Sequence, residues 1–307
     1  MTYNITDGFI PKYREEFIIR AQQQKRMLDG LSEEGGVFVG DVCHFPRFGQ
    51  AETTKASRLQ ELAMNGVPID WVKIQAEPEF ITFGIWDPDK SKMTIPMAGP
   101  FAKASVKAVN RAKDRQHIEC VADAATNGVK NTKNEVETVT TLGSYDDEID
   151  LEMVAEAIVQ LGTDEMFEGE RVSIITPFKI NVQQQLDPIL HKMDVKTNRV
   201  WDRIDWRTYE RLPGNGTAGA GWAAAGATGV DCFIHAQSAV MHATNDDDVE
   251  INERMGSRLG DLIGRWFQTA SGVVEPKGLI RIKGKLDFAL HRVPVRTYET
   301  NADMLPA

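Results

Sequence analysis

Gly214, Gly216 and Gly219 stand in the spacing G-x-G-x-x-G, and Asp231 lies downstream. That pattern could hold a pyrophosphate on backbone N–H groups at a helix start, with the acid on a ribose hydroxyl, and so support hydride transfer with NAD(P). The chemistry requires a buried strand before the first glycine and an amphipathic helix after the last. Here Pro213 precedes Gly214, the segment TYERL is no buried parallel strand, and no amphipathic helix follows. Residues Pro213 to Gly229 read better as a flexible Gly/Ala-rich insertion.

The other reactive residue types are scattered. Histidines 44, 117, 191, 235, 242 and 291 are dispersed, and neither Cys43-His44 nor His235 with His242 has a metal-ligand spacing. No H-E-x-x-H, paired C-x-x-C, P-loop or G-x-S-x-G pattern is present. Asp146-Asp147-Glu148 and Asp246-Asp247-Asp248 could face a hard cation, but they lack the glycine and closing glutamate of a calcium loop and read as solvated turns. The expected catalytic, cofactor-binding and metal-ligating sets are therefore all empty, and no cofactor is expected. This favours a role other than catalysis.

The elements that would position any site start from residues 99–127. This stretch is Ala-rich and free of glycine and proline after Pro100. It predicts a helix about 40 Å long, opened by Pro100 and stopped by Asn127-Gly128. Phe101, Val106 and Val109 fall on one side, whereas Ile118, Val121 and Ala125 follow further along, so different elements must cover the helix along its length. Before it, Val37–Val39 and Val42–Phe48 are strand-like, with Pro46 marking an edge strand. A polar tip spans Gln50 to Asn65, and alternation resumes over Trp71–Phe83. A long ribbon of this kind buries little by itself and needs a partner.

After the long helix, a strand-like EVETVTTL leads to an acidic turn. Asp150 is the expected N-cap of a helix carrying Leu151, Val154, Ala155, Ile158 and Leu161, ended by Gly162. Arg171–Thr176 predicts a buried strand. Thr176-Pro177 then opens a helix with Phe178, Val182, Leu186 and Ile189 on its apolar face. Val230–Ala243 predicts another strand, Asn245–Asp248 an acidic turn, and Leu279–Leu290 a closing ribbon that returns to the first domain.

Bulk composition bounds the function. The 307 residues allow two or three domains. A hydrophobic content of 42% and a charged content of 26% are ordinary for a soluble globular protein. Three dispersed cysteines argue against a disulfide framework and for a reducing compartment. MTYNITDGFI shows no basic-then-apolar signal pattern, and the apolar runs fall short of a bilayer span. A net charge of −10, from 35 basic and 45 acidic residues, disfavours gripping phosphate backbones as the main task.

The order of segments is more specific than any one motif. GDVCHFPRFGQAE in the ribbon is followed by an Asp87-Pro88 turn, AVNRAKD within the long helix, VSIITP, and then HAQSAVMHA. In this order and content the chain resembles the major capsid proteins of tailed bacteriophages, in the group of short-tailed and related phages. The resemblance spans nearly the whole chain. It implies an α+β architecture, the Hong Kong 97-type capsid fold, and an icosahedral shell of hexamers and pentamers enclosing double-stranded DNA. It implies an N-arm over 1–36, an extended E-loop over 37–79, and a P-domain over 80–145 whose spine helix is about 100–127. It further implies an A-domain over 146–252 and a return to the P-domain with a C-terminal extension over 253–307.

The partners so implied are copies of the same chain, a scaffolding protein, a portal and a decoration protein, with no membrane. The location is the virion after assembly in the host bacterial cytoplasm. The tail after Gly284 is longer than this pattern expects, and 198–229 is idiosyncratic. Lys55 and Lys73 are ordinary ribbon lysines with no cross-linking role implied. Two other readings compete: an NAD(P)-dependent oxidoreductase using 214–219, and an encapsulin-like compartment shell of the same fold.

Overall fold

The computed structural model describes residues 25–48, 69–76, 78–86, 98–130, 135–166, 171–185, 203–214, 228–254 and 260–285. The long helix, α1, spans Ala98–Asn127. Gly128 stops it at φ 73, where its N–H bonds back to the carbonyl of Ala124 at 2.9 Å. That left-handed cap suits glycine, and a Cβ there would lie 2.7 Å from the carbonyl oxygen of Glu137. The buried face of α1 runs through Ser105, Val109, Asp114, His117, Ile118, Val121 and Ala124. Ala125 and Val106 are only half-buried.

Four sheets are built from strands β1 (Glu33–Glu34), β2 (Val37–Val39), β3 (Val42–Phe48), β4 (Ile69–Gln75), β5 (Glu79–Trp86), β6 (Val129–Lys130), β7 (Val136–Glu137), β8 (Thr140–Leu142), β9 (Val172–Thr176), β10 (Ile204–Thr208), β11 (Gly229–Ala236), β12 (Val240–Arg254), β13 (Gly260–Val273) and β14 (Leu279–Lys285). One sheet runs β1-β12-β13-β5 and a second β10-β9-β11-β14-β8. A third is β2-β3-β4, and β6 pairs with β7. Helix α1 packs on β13 and β5 of the first sheet and reaches β14 of the second, so different elements do cover it along its length.

Every residue of β9 and β11 is buried, as expected for strands in the middle of a covered sheet. Helix α2 (Leu151–Thr163) lies against β14 of this sheet. Asp150 caps it by accepting from Met153 N–H at 2.9 Å, and Leu151, Val154, Ala157, Ile158 and Leu161 face inward.

Several expectations change. Ala155 is only half-buried, and Ala157 takes its place in the core. The helix passes Gly162 and turns instead at Glu165, with φ 62. Helix α3 (Phe178–Gln185) buries Ile180 and leaves Phe178 exposed. Glu210, not Thr176, caps it, accepting from Phe178 N–H at 2.9 Å. Leu186 and Ile189 lie outside the described residues.

The expected strand Val230–Ala243 is two strands broken by a 3-10 turn, Gln237–Ala239. There the chain crosses from the second sheet to the first. Asn245–Asp248 is no turn. It is an irregularity within β12, where pairing to β13 slips between Asn245 and Val249. The chain crosses back through a second 3-10 turn, Pro276–Gly278, packed on the first. Val274 N–H donates to the carbonyl of Ala239 at 2.8 Å, and a Cβ on Gly278 would sit 2.6 Å from that of Ala239. Of the expected closing ribbon, 279–285 form β14, which joins the second sheet rather than the one on which α1 packs but reaches β8 within 80–145, and 286–290 lie outside the described residues. β14 pairs with β11 and β8.

Candidate assembly surface

The sheet β2-β3-β4 begins with a two-residue loop, Gly40-Asp41, between paired Val39 and Val42, with Gly40 at φ 64. β3 then pairs with β4 along its full length, Phe48 with Ile69 through Val42 with Gln75. β2 covers β3 only from Val42 to His44, so Pro46 has an open side, which is where a strand tolerates proline. Residues 49–68, between the paired ends, lie outside the described residues.

Alternation along these strands sends Phe38, Cys43, Phe45, Val72 and Ile74 to one face, where they join the core. Phe45 is fully buried, and a Cβ at Gly272 of β13 would meet its ring at 3.0 Å. Glycine at 272 is what lets the ring seat against the neighbouring sheet. Arg47 locks the same root: its Nη2 donates to Glu137 at 2.7 Å and its Nε to Glu275 at 3.2 Å. A ribbon of this length needs a partner outside itself. Its root is supported, by Phe45 and by this clamp.

The opposite face carries Val37, Val39, Val42, His44, Pro46, Ile69, Trp71 and Lys73. A half-solvated antiparallel sheet normally turns polar residues outward. Here Val37 is 58% exposed, Val39 65%, Ile69 59% and Trp71 39%. His44 stands edge-on to Trp71, with ring centroids 6.3 Å apart. Both faces of this sheet are thus rich in apolar side chains, and among the described residues only one of them joins the core. Contiguous exposed apolar surface of this kind marks an interaction site. Behind β4, a cleft of about 880 Å³ opens between the ribbon, α1 and β13, with Lys73, Glu79, Glu119 and Asp123 among its walls.

The residues singled out from the sequence do not converge. Gly214 makes an isolated bridge to Val230, whereas Gly216 and Gly219 lie outside the described residues. Asp231 is buried and committed: Tyr145 donates to it at 2.8 Å and Arg281 at 2.5 Å. Burial, and then that hydrogen bond, push the Tyr145 phenol above its usual range. Asp147 accepts from Ser144 N–H and Oγ at 2.9 and 2.8 Å, which makes 146–148 a local turn.

No group of three or more His, Cys, Asp or Glu among the described residues is placed to hold a metal ion. Cys43 and Cys120 are free thiols pushed up to about 11 and about 12 by burial, and Cys232 is raised by burial too. Such thiols are poor nucleophiles. Lys55 lies outside the described residues, and Lys73 is exposed on β4. Sequence reading missed the Arg47 clamp, whose partners are about 90 and 230 residues away along the chain. It also missed that His117 and His235 meet, with ring centroids 5.5 Å apart.

No curated protein sequence matches the chain. Solved structures do. The capsid protein of cyanophage P-SCSP1u superposes with a TM-score of 0.62 at 15% identity, over 92% of this chain and 95% of that one. That of Ralstonia phage GP4 gives 0.63 at 10% identity, over 92% and 98%. The acid-stable capsid of Helicobacter pylori bacteriophage KHP30 gives 0.63 at 10% identity, over 93% and 98%. These likenesses establish a capsid fold of mixed sheets with few helices. The family model described as phage capsid protein matches residues 5–285, from ahead of the ribbon to the last strand. The chain belongs to the phage capsid protein family, whose members build the icosahedral head.

Proposed function

We propose that this chain is the major shell subunit of a Hong Kong 97-type head, and that the outward face of β2-β3-β4 is where one copy lies on the next. Copies close into hexamers and pentamers around a scaffolding protein and a portal, first as a procapsid and then as a mature shell around double-stranded DNA. A decoration protein can join the finished particle. Assembly takes place in the host bacterial cytoplasm, and the product is the virion. The exposed band of Val37, Val39, Ile69 and Trp71 carries this reading. A net charge of −10 suits a container that holds DNA without trapping it. Individual contacts can be weak, because many per subunit act together.

In this reading 1–36 is the N-arm and 37–79 the E-loop. The P-domain is best drawn around α1 with β5, β12 and β13. The A-domain is best drawn around α2, α3 and the β10-β9-β11-β14-β8 sheet. That places β14 with the A-domain, although it follows residue 252, and β12 with the P-domain.

Val39→Asp with Trp71→Asp tests the surface. Wild-type chain should sediment as closed particles, and the double variant as free subunits or capsomers with a melting temperature within a few degrees of wild type. Normal shells from the double variant would remove the assembly role of this face.

A further inference from the structure

Helix α1 changes its buried side along its length. In the first half Ser105 and Val109 turn inward, and Lys103, Lys107 and Arg111 line the opposite side at steps of four residues. From Asp114 onward that same side turns into the body, with Ile118 and Val121. The basic ridge is therefore confined to the first half of α1. Residues 98–113 hold Lys103, Lys107, Arg111 and Lys113 and no acid, in a chain whose net charge is −10. Like charges one turn apart weaken a helix, so the ridge costs the folded chain something. Lys103 is exposed and Lys107 half-buried, and neither has an ion pair among the described residues.

Helix α2 carries the opposite sign at the same step. Leu151, Val154, Ala157, Ile158 and Leu161 face inward. Glu152, Glu156, Val159 and Thr163 form the outer stripe, and all four are exposed. Neither glutamate has an ion pair among the described residues. Val159, at 68% exposure, gives the acidic line an apolar end.

The two ridges match in pitch as well as in sign. An α-helix rises about 1.5 Å per residue, so on each the charged pair is about 6 Å apart. Two helices side by side can set Lys103 and Lys107 against Glu152 and Glu156 in two successive pairs. Ala104 and Ala108 flank the basic line and are small enough for close approach. One exposed ion pair is worth little in water, but an apolar flank excludes water and repetition round a ring multiplies the contact.

Because the ridges lie on different elements, the contact between copies is head-to-tail: each copy offers one ridge and receives the other. Contacts of that type close rings, as a hexamer or pentamer requires. A phosphate backbone is the competing anion for the lysines. The chain's own acids at equal pitch, and an overall charge that repels DNA, favour a second copy.

We propose that the first half of α1 in one copy docks on the outer stripe of α2 in the next, with Lys103 and Lys107 facing Glu152 and Glu156, and that this contact closes the capsomer ring. It rests on the shell reading above and uses a surface separate from the outward face of β2-β3-β4.

The test is sedimentation of the full chain and its charge-reversed variants at low salt. Lys103→Glu with Lys107→Glu should raise the concentration needed for capsomers and shells about tenfold or more, and Glu152→Lys with Glu156→Lys should do the same. All four changes in one chain should restore assembly to within about threefold of wild type, since the charges then meet with signs exchanged. Free subunits should keep melting temperatures within a few degrees of wild type. If lysine in the first turn of α2 prevents folding, Glu152→Gln with Glu156→Gln should show a smaller loss of the same kind. Normal assembly by the lysine variant overturns the contact, as does a fourfold exchange no better than either half. Closed wild-type particles in the same run then leave the shell reading standing, whereas a wild type that stays monomeric removes both. Normal assembly with weaker retention on immobilised duplex DNA assigns the ridge to phosphates and also overturns it.

Discussion

At the scale of single residues, a polar side chain matters here through the group it satisfies. Asp150 is the simplest example. Its carboxylate takes an N–H that the first turn of α2 cannot satisfy internally. Asp150→Ala should lower unfolding free energy by about 1 kcal/mol, read from the midpoint of urea denaturation. That cap was legible in the sequence because donor and acceptor are three residues apart. Thr176 looked equally suited, yet its hydroxyl has no partner among the described residues and Glu210 does the work. Asp231 was legible as an acid but not as a buried one, since Arg281 lies 50 residues further on. Local chemistry shows in sequence, whereas a partner supplied by another strand does not.

At the scale of elements, the ribbon root is the part that positions everything beyond it. Phe45 seats it and Arg47 clamps it to Glu137 and Glu275. Arg47→Ala leaves two carboxylates facing each other without their cation. The expected cost is about 2 kcal/mol, together with faster proteolysis at the tip of the ribbon. Unchanged denaturation and cleavage would show the clamp to be idle.

The long helix, α2 and the buried strand Val172–Thr176 were readable because each has its own periodicity and stop signals. The acidic run inside β12 was not, because Asn and Asp favour turns and nothing local reveals that a bulge absorbs them. The sheet membership of β14 was equally hidden. Its alternation specifies a strand, and pairing with β11 is decided by the whole body.

At the scale of the molecule, the segment order carried the family, and the two-faced apolar sheet carries the case for assembly. Removing residues 54–65 from the ribbon tip should leave a chain that folds, with a near-wild-type melting curve, but does not close into shells under negative stain. Shells of normal size from this deletion would show that the tip is dispensable. The dinucleotide reading has no comparable support: Gly214 is occupied by its bridge to Val230 and Asp231 by Arg281.

Besides the route through α1 from β5 to β8, the chain passes directly between its two main sheets at the two 3-10 turns, and these two crossings are tied side by side at Ala239, Val274 and Gly278. A single strand between two bodies is a swivel; a doubled one is a stiff beam. If copies meet as proposed, a change in shell curvature is taken up where separate copies touch, and the two main sheets of each subunit move together.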